Sequence, residues 1–204
     1  MVRMVDDPSP EQPSAAGWLR IEPRRVVVRP GGHQVVRIVA EPPADLPRGE
    51  YWARLIVTSQ GVPAAGTGAD TAVRAGVSLV VSTVMAVSYR NGGVETGIRL
   101  DDFRAEAVAD SLISWVGLTR QGNAAYLGTT WVRLRDASGR VVRAWGTPMA
   151  VYYSLERRYA FALDSVPPGR YTAELEVTTA RADLSPRHIL PAAPIHERVE
   201  VEVR

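Results

Sequence analysis

Between Gly76 and Arg90 the chain reads GVSLVVSTVMAVSYR, and its large apolar side chains fall on alternate positions. The odd set is Val77, Leu79, Val81, Thr83, Met85, Val87 and Tyr89. The even set is Ser78, Val80, Ser82, Val84, Ala86, Ser88 and Arg90, smaller and more polar. Period two predicts a β-strand with one buried face. At about 3.3 Å per residue the run would reach about 45 Å, well beyond a usual strand of about five or six residues. A strand of that reach outruns its own domain, so the excess needs cover from a second domain or a partner chain. A central strand that fills its own core shows the same alternation, so pattern alone leaves both readings open.

The rest of the chain repeats short strand signals between Gly and Pro punctuation. In the first half they fall at Trp18–Ile21, Arg25–Arg29, Gln34–Glu41 and Glu50–Thr58, with turns at Pro30-Gly31-Gly32 and Pro47-Arg48-Gly49. Residues 59–72 read as a flexible loop, and Asn91-Gly92-Gly93 as a turn at a domain boundary. In the second half the signals are Glu95–Leu100, Ser111–Arg120, Thr129–Asp136, Val141–Trp145, Met149–Ser154, Arg158–Leu163, Arg170–Thr178 and Glu197–Arg204. Turns fall at Gln121-Gly122-Asn123, Asp136–Gly139 and Val166–Gly169. Phe103–Ala109, FRAEAVA, predicts one helical turn. Seven or eight short strands over about 110 residues predict an immunoglobulin-like sandwich. The expected organisation is all-β: a disordered segment over 1–16, a partial immunoglobulin-like domain over 17–91, and a second immunoglobulin-like β-sandwich over 92–204.

Composition changes this picture little. The chain has 204 residues, 46% hydrophobic and 23% charged, with 17 Gly and 15 Pro, all suited to a globular β protein. The net charge is +2 and every basic residue is Arg, so no nucleic-acid partner is expected. Cysteine is absent, which excludes disulfides, thiol catalysis and Cys-based zinc sites. Ala75–Tyr89 is shorter than the about 20 residues of a membrane span and carries several hydroxyls, so no membrane insertion is expected. Residues 1–17, MVRMVDDPSPEQPSAAG, lack the apolar core of a signal peptide.

Candidate chemistry is sparse. There is no GxSxG, P-loop or GxGxxG. His188 and His196 would share a metal only with Asp183 or Glu197, at a spacing that fits no recognised zinc pattern. Asp101, Asp102 and Glu156 are an acid–base pairing only if folding unites them; a solvated loop is the expectation. The arginines of Trp131–Arg135 should coat an outer sheet face, and the tryptophans 18, 52, 115, 131 and 145 should anchor the core or an interface. No enzyme activity, cofactor or metal is expected.

Three pieces occur in order: WLRIEPRRVVVRPGGHQVVRI (18–38), PADLPRGEYWARL (43–55) and a strand ending AVSYR (86–90). Together they resemble the first domain of the PapD-like periplasmic pilus-assembly chaperones, and GLTRQGNAAYLG (117–128) resembles a strand and turn of that family's second domain. The resemblance spans about residues 17–180. It implies a non-enzymatic periplasmic protein that binds a secreted pilus- or fimbria-type subunit by lending it a strand, with an outer-membrane usher as a further candidate partner. The donors would be Val77, Leu79, Val81, Met85 and Val87. The resemblance also departs from the family. A Lys of the family's carboxylate clamp falls near Ala86 here. Its first strands and secretion signal have no counterpart, so the first domain is expected to be incomplete, as from a truncated gene model. A tandem sandwich serving as a structural or adhesive module for proteins or glycans is the alternative.

Overall fold

The computed structural model describes residues 12–61 and 79–204. The protein is all-β. Among the described residues there are eleven strands, two single 3-10 turns and no α-helix. They divide into two compact units, Met1–Asn91 and Gly92–Arg204.

The second unit holds seven strands: β5 (Thr96–Val108), β6 (Ser111–Gly122), β7 (Tyr126–Arg135), β8 (Val141–Val151), β9 (Ser154–Ala162), β10 (Gly169–Thr178) and β11 (Ile195–Val203). One sheet runs β5-β6-β9 and the other β11-β10-β7-β8, all pairs antiparallel. Alternation places the inner residues. Leu112, Val116 and Leu118 of β6 meet Val132, Leu134, Ala173, Leu175 and Val177 of β7 and β10 in one buried cluster. The β7–β8 hairpin turns where the sequence carries Asp136-Ala137-Ser138-Gly139. The Asp136 carboxylate accepts from the Ser138 and Arg140 amides at 3.0 and 3.1 Å. Gly139 takes φ +80°, a left-handed conformation that glycine adopts without steric penalty.

Three sequence expectations are corrected here. Phe103–Ala109 forms no helical turn; up to Val108 it belongs to β5, with Phe103 buried and paired to Val116. Its Phe, Ala and Ala also fall at period two, and pairing with β6 outweighs the helix preference of Ala and Glu. Val141–Trp145 and Met149–Ser154 are not separate strands, because Val141–Val151 runs through as one. Arg25–Arg29 is not a strand at all.

The first unit is built differently. It has a two-stranded sheet of β1 (Leu19–Glu22) and β2 (Arg37–Ala40), and a second of β3 (Gly49–Gln60) and β4 (Val80–Asn91). Among its described residues Ala15 is the only buried hydrophobic one. Trp18 closes one end, edge-on to Tyr51 at 6.1 Å and Tyr89 at 5.1 Å between ring centroids. Residues 13–15, expected within a disordered segment, instead bond to β3. The Trp52 amide donates to the Pro13 carbonyl and the Ala15 amide donates to the Trp52 carbonyl, both at 3.1 Å. Residues 1–11 lie outside the described residues.

One stretch of sequence is used twice. Residues 47–58, PRGEYWARLIVT, and 167–178, PPGRYTAELEVT, share Pro, Gly, Tyr, Ala, Leu, Val and Thr at the same offsets. Both copies form a strand, β3 and β10, and both begin with the same tie. The Tyr51 hydroxyl donates to the Pro47 carbonyl at 3.0 Å, and the Tyr171 hydroxyl donates to the Pro167 carbonyl at 2.8 Å. The tie hooks the entering chain to the strand four residues on and sets its face, as at the corner strand of immunoglobulin-type sandwiches.

Candidate functional site

The β3–β4 hairpin carries the candidate donor residues. Its end at Gly49 and Asn91, away from the connecting segment, is well held. Arg90 Nε donates to the buried Glu50 carboxylate at 2.9 Å, and Asn91 Nδ2 donates to the Leu46 carbonyl at 2.6 Å. From there the strands run in unbroken register from Gly49↔Asn91 to Gln60↔Val80. Side chains opposite one another share a face. Tyr51, Ala53, Leu55, Val57, Val81, Met85, Val87 and Tyr89 therefore stand on the Trp18 side, and Arg54, Ile56, Val80, Val84 and Ala86 on the other.

Exposure grades along this hairpin. Val87 and Tyr89 are half-buried. Leu79 is 72% exposed, Val81 48% and Met85 43%, so exposure continues from the Gln60–Val80 end at least as far as Met85. Val77 lies outside the described residues. The even face is open too, with Val80, Val84 and Ile56 all about half exposed. The strand begins at Val80, so the described part is shorter than the run of 76–90.

The backbone edges follow from one observation. The Trp52 amide and carbonyl both bond to residues 13–15, away from β4. Amide directions alternate along a strand. The backbone groups of Ile56 and Thr58 therefore also face away from β4, and those of Ser82 and Val84, opposite them, face out from β4's own far side. Among the described residues no strand pairs with either outer edge beyond Trp52.

The second unit offers other groupings. Asp101, Asp102 and Glu156, expected apart in a solvated loop, stand on β5 and β9 around one open hollow of about 660 Å³. Register explains it: Gly117 of β6 pairs with Asp102 on one side and Glu156 on the other. A bulge between Leu100 and Asp102 brings Asp101 beside them. The spacing in sequence gave no sign of this, because the register joins residues more than fifty apart. The aspartates are engaged: Asp101 accepts from Thr119 Oγ1 at 2.6 Å and pairs with Arg99 at 3.0 Å, and Asp102 pairs with Arg104 at 2.7 Å. Trp115 stands between the Arg104 and Arg158 guanidiniums, 5.6 and 6.0 Å from its ring.

The arginines of β7 do coat an outer face, where they neutralise buried acid. The Glu174 carboxylate meets Arg135 at 2.9 Å and Arg198 at 2.7 Å, and Arg133 pairs with Glu176 at 2.6 Å. Hydrogen bonding from Arg135 holds the Glu174 carboxyl below the usual carboxylate range. His33, His188 and His196 are exposed, and no group of three His, Asp or Glu side chains among the described residues is placed to hold a metal ion.

Comparison with protein-family models, curated proteins and solved structures finds no match to this chain.

Proposed function

We propose that the chain is a non-enzymatic, chaperone-like protein that lends β4 to a secreted pilus- or fimbria-type subunit lacking a strand. It would act in the periplasm, with an outer-membrane usher as a further partner. The observation that carries this reading is the exposed row Val81 and Met85 of β4, continued by Leu79 just before it, on a strand whose outer edge has no paired strand among the described residues. Exposed apolar side chains along an unpaired edge are an aggregation hazard unless a partner uses them. In strand addition, main-chain bonds supply affinity and alternate side chains fill pockets. Ala86 stands where the resemblance places the clamp lysine, and Arg54 lies directly across from it on the same face.

The test uses the full chain and a purified pilus-type subunit deprived of one strand, followed by co-elution on size exclusion. Leu79→Glu should abolish the complex and leave the melting midpoint almost unmoved, since an exposed substitution costs within about 0.5 kcal/mol. A complex that survives the change, or a loss of several kcal/mol in stability as at a buried leucine, would defeat the proposal.

A further inference from the structure

In the second unit β9 ends the three-stranded sheet, paired to β6 alone among the described residues. The bonds at its two ends fix which way its backbone turns. The Arg120 amide donates to the Tyr153 carbonyl at 2.7 Å, and the Leu163 amide donates to the Asp110 carbonyl at 2.8 Å. Backbone direction alternates along a strand. The odd residues from Tyr153 to Leu163 therefore turn their amides and carbonyls to β6, and Glu156, Arg158 and Ala160 turn theirs outward. These three are exposed, and among the described residues their outward backbone groups have no hydrogen-bond partner. Glu156 and Arg158 also share the sheet's outer face, opposite Gly117 and Trp115. Arg158 lies over the Trp115 ring, but among the described residues neither charge has an ion-pair partner.

We infer that β9 is a dimer edge, pairing antiparallel with β9 of a second copy about a twofold axis at Arg157. Charge selects the register. About that axis Glu156 of each copy falls opposite Arg158 of the other. Both residues turn their backbone outward, so each ion pair coincides with a hydrogen-bonded pair. An axis at Glu156 or at Arg158 would set two carboxylates or two guanidiniums face to face and form no ion pair. The chosen axis does oppose Arg157 to itself, but that guanidinium is drawn along the strand over the Tyr159 ring, 5.0 Å away. Two three-stranded sheets then join into one. The acid row Asp102, Gly117 and Glu156 runs on into the basic row Arg158, Trp115 and Arg104 of the second copy.

Strand β11 also carries acids and bases on one face, yet Arg198, Glu200 and Glu202 there already engage Glu174, Thr172 and Arg204. A β9–β11 contact would moreover be heterologous and grow as an open chain, whereas β9 on β9 closes at two copies. The inference concerns the second unit alone and does not rest on the function proposed above.

One strand pair makes less than a standard interface, so the dimer should be transient, with a Kd of about 1 μM to 1 mM. Sedimentation velocity of the full chain is followed across that range. The unaltered chain should pass from monomer to dimer and stop there. Glu156→Arg and Arg158→Glu should each weaken the dimer at least about tenfold, since either change sets like charges opposite one another on both sides of the axis. An equimolar mixture of the two variants should form a heterodimer as tight as the unaltered dimer, because every charge again meets its opposite. A chain that stays monomeric up to about 1 mM would overturn the inference. So would a dimer indifferent to either reversal, or a mixture that associates no better than the separate variants. Growth past the dimer would also overturn it and assign β9 to a different edge such as β11.

Discussion

Val57 and Val177 make a matched experiment within one chain. Both follow the same Tyr-x-Ala-x-Leu-x frame, and both precede Thr. Val177 is fully buried in the second unit's core, while Val57 is 48% exposed. Truncating a buried valine to alanine removes two methyl carbons, about 1.6 kcal/mol of transfer at about 0.8 kcal/mol each, and leaves a cavity that adds about another 1 kcal/mol. Val177→Ala should thus cost about 2–3 kcal/mol. Half of the Val57 side chain is already in water, and no closed core surrounds it, so Val57→Ala should cost about 0.5–1 kcal/mol. For a domain of the second unit's size, about 1 kcal/mol moves the midpoint by about 4–8 °C. Calorimetry of the full chain should show the Val177 variant melting about 8–24 °C lower and the Val57 variant about 2–8 °C lower than the parent. Equal losses at the two sites would refute the reasoning, because position in the repeat and not surroundings would then decide the energy. A Val57→Ala loss above about 2 kcal/mol would show that its face is covered in the free protein.

Two further outcomes test the second unit. Glu174 has its pKa lowered in the folded state, so its contribution is present above the unfolded carboxyl pKa and is lost as pH falls through the folded value. Glu174→Gln should destabilise by about 1–2 kcal/mol at pH 7, allowing for solvent at its partly exposed arginines. Denaturant melts should show that difference shrinking as the pH is taken down through the folded carboxyl's lowered range; a difference constant with pH would show that shape and not charge matters there. Tyr171→Phe removes the hydroxyl tie to Pro167 and should cost about 1 kcal/mol in the same assay, with no change expected if the ring alone sets the corner.

The sequence by itself determined that this is a β protein. Alternation and Gly, Pro and Asn turns mark most of its strands, because a strand with two unlike faces must write them at period two. The same rule would have separated Phe103–Ala109 from a helix, since Phe103, Ala105 and Ala107 line up on alternate positions. The repeated Pro-x-Gly-x-Tyr-x-Ala-x-Leu-x-Val-Thr frame was also open to inspection and announces two related corner strands. What lies opposite a face is not written in the face. Tyr-x-Ala-x-Leu-x-Val reads alike at 51–57 and 171–177, yet one copy is sealed by β7 and the three-stranded sheet while the other stands half in solvent. Asp101, Asp102 and Glu156 likewise meet only through the register of β5 and β9 on β6. Burial and edge pairing are properties of strands distant in the chain, and so tertiary structure alone decided which apolar row is core and which stays exposed.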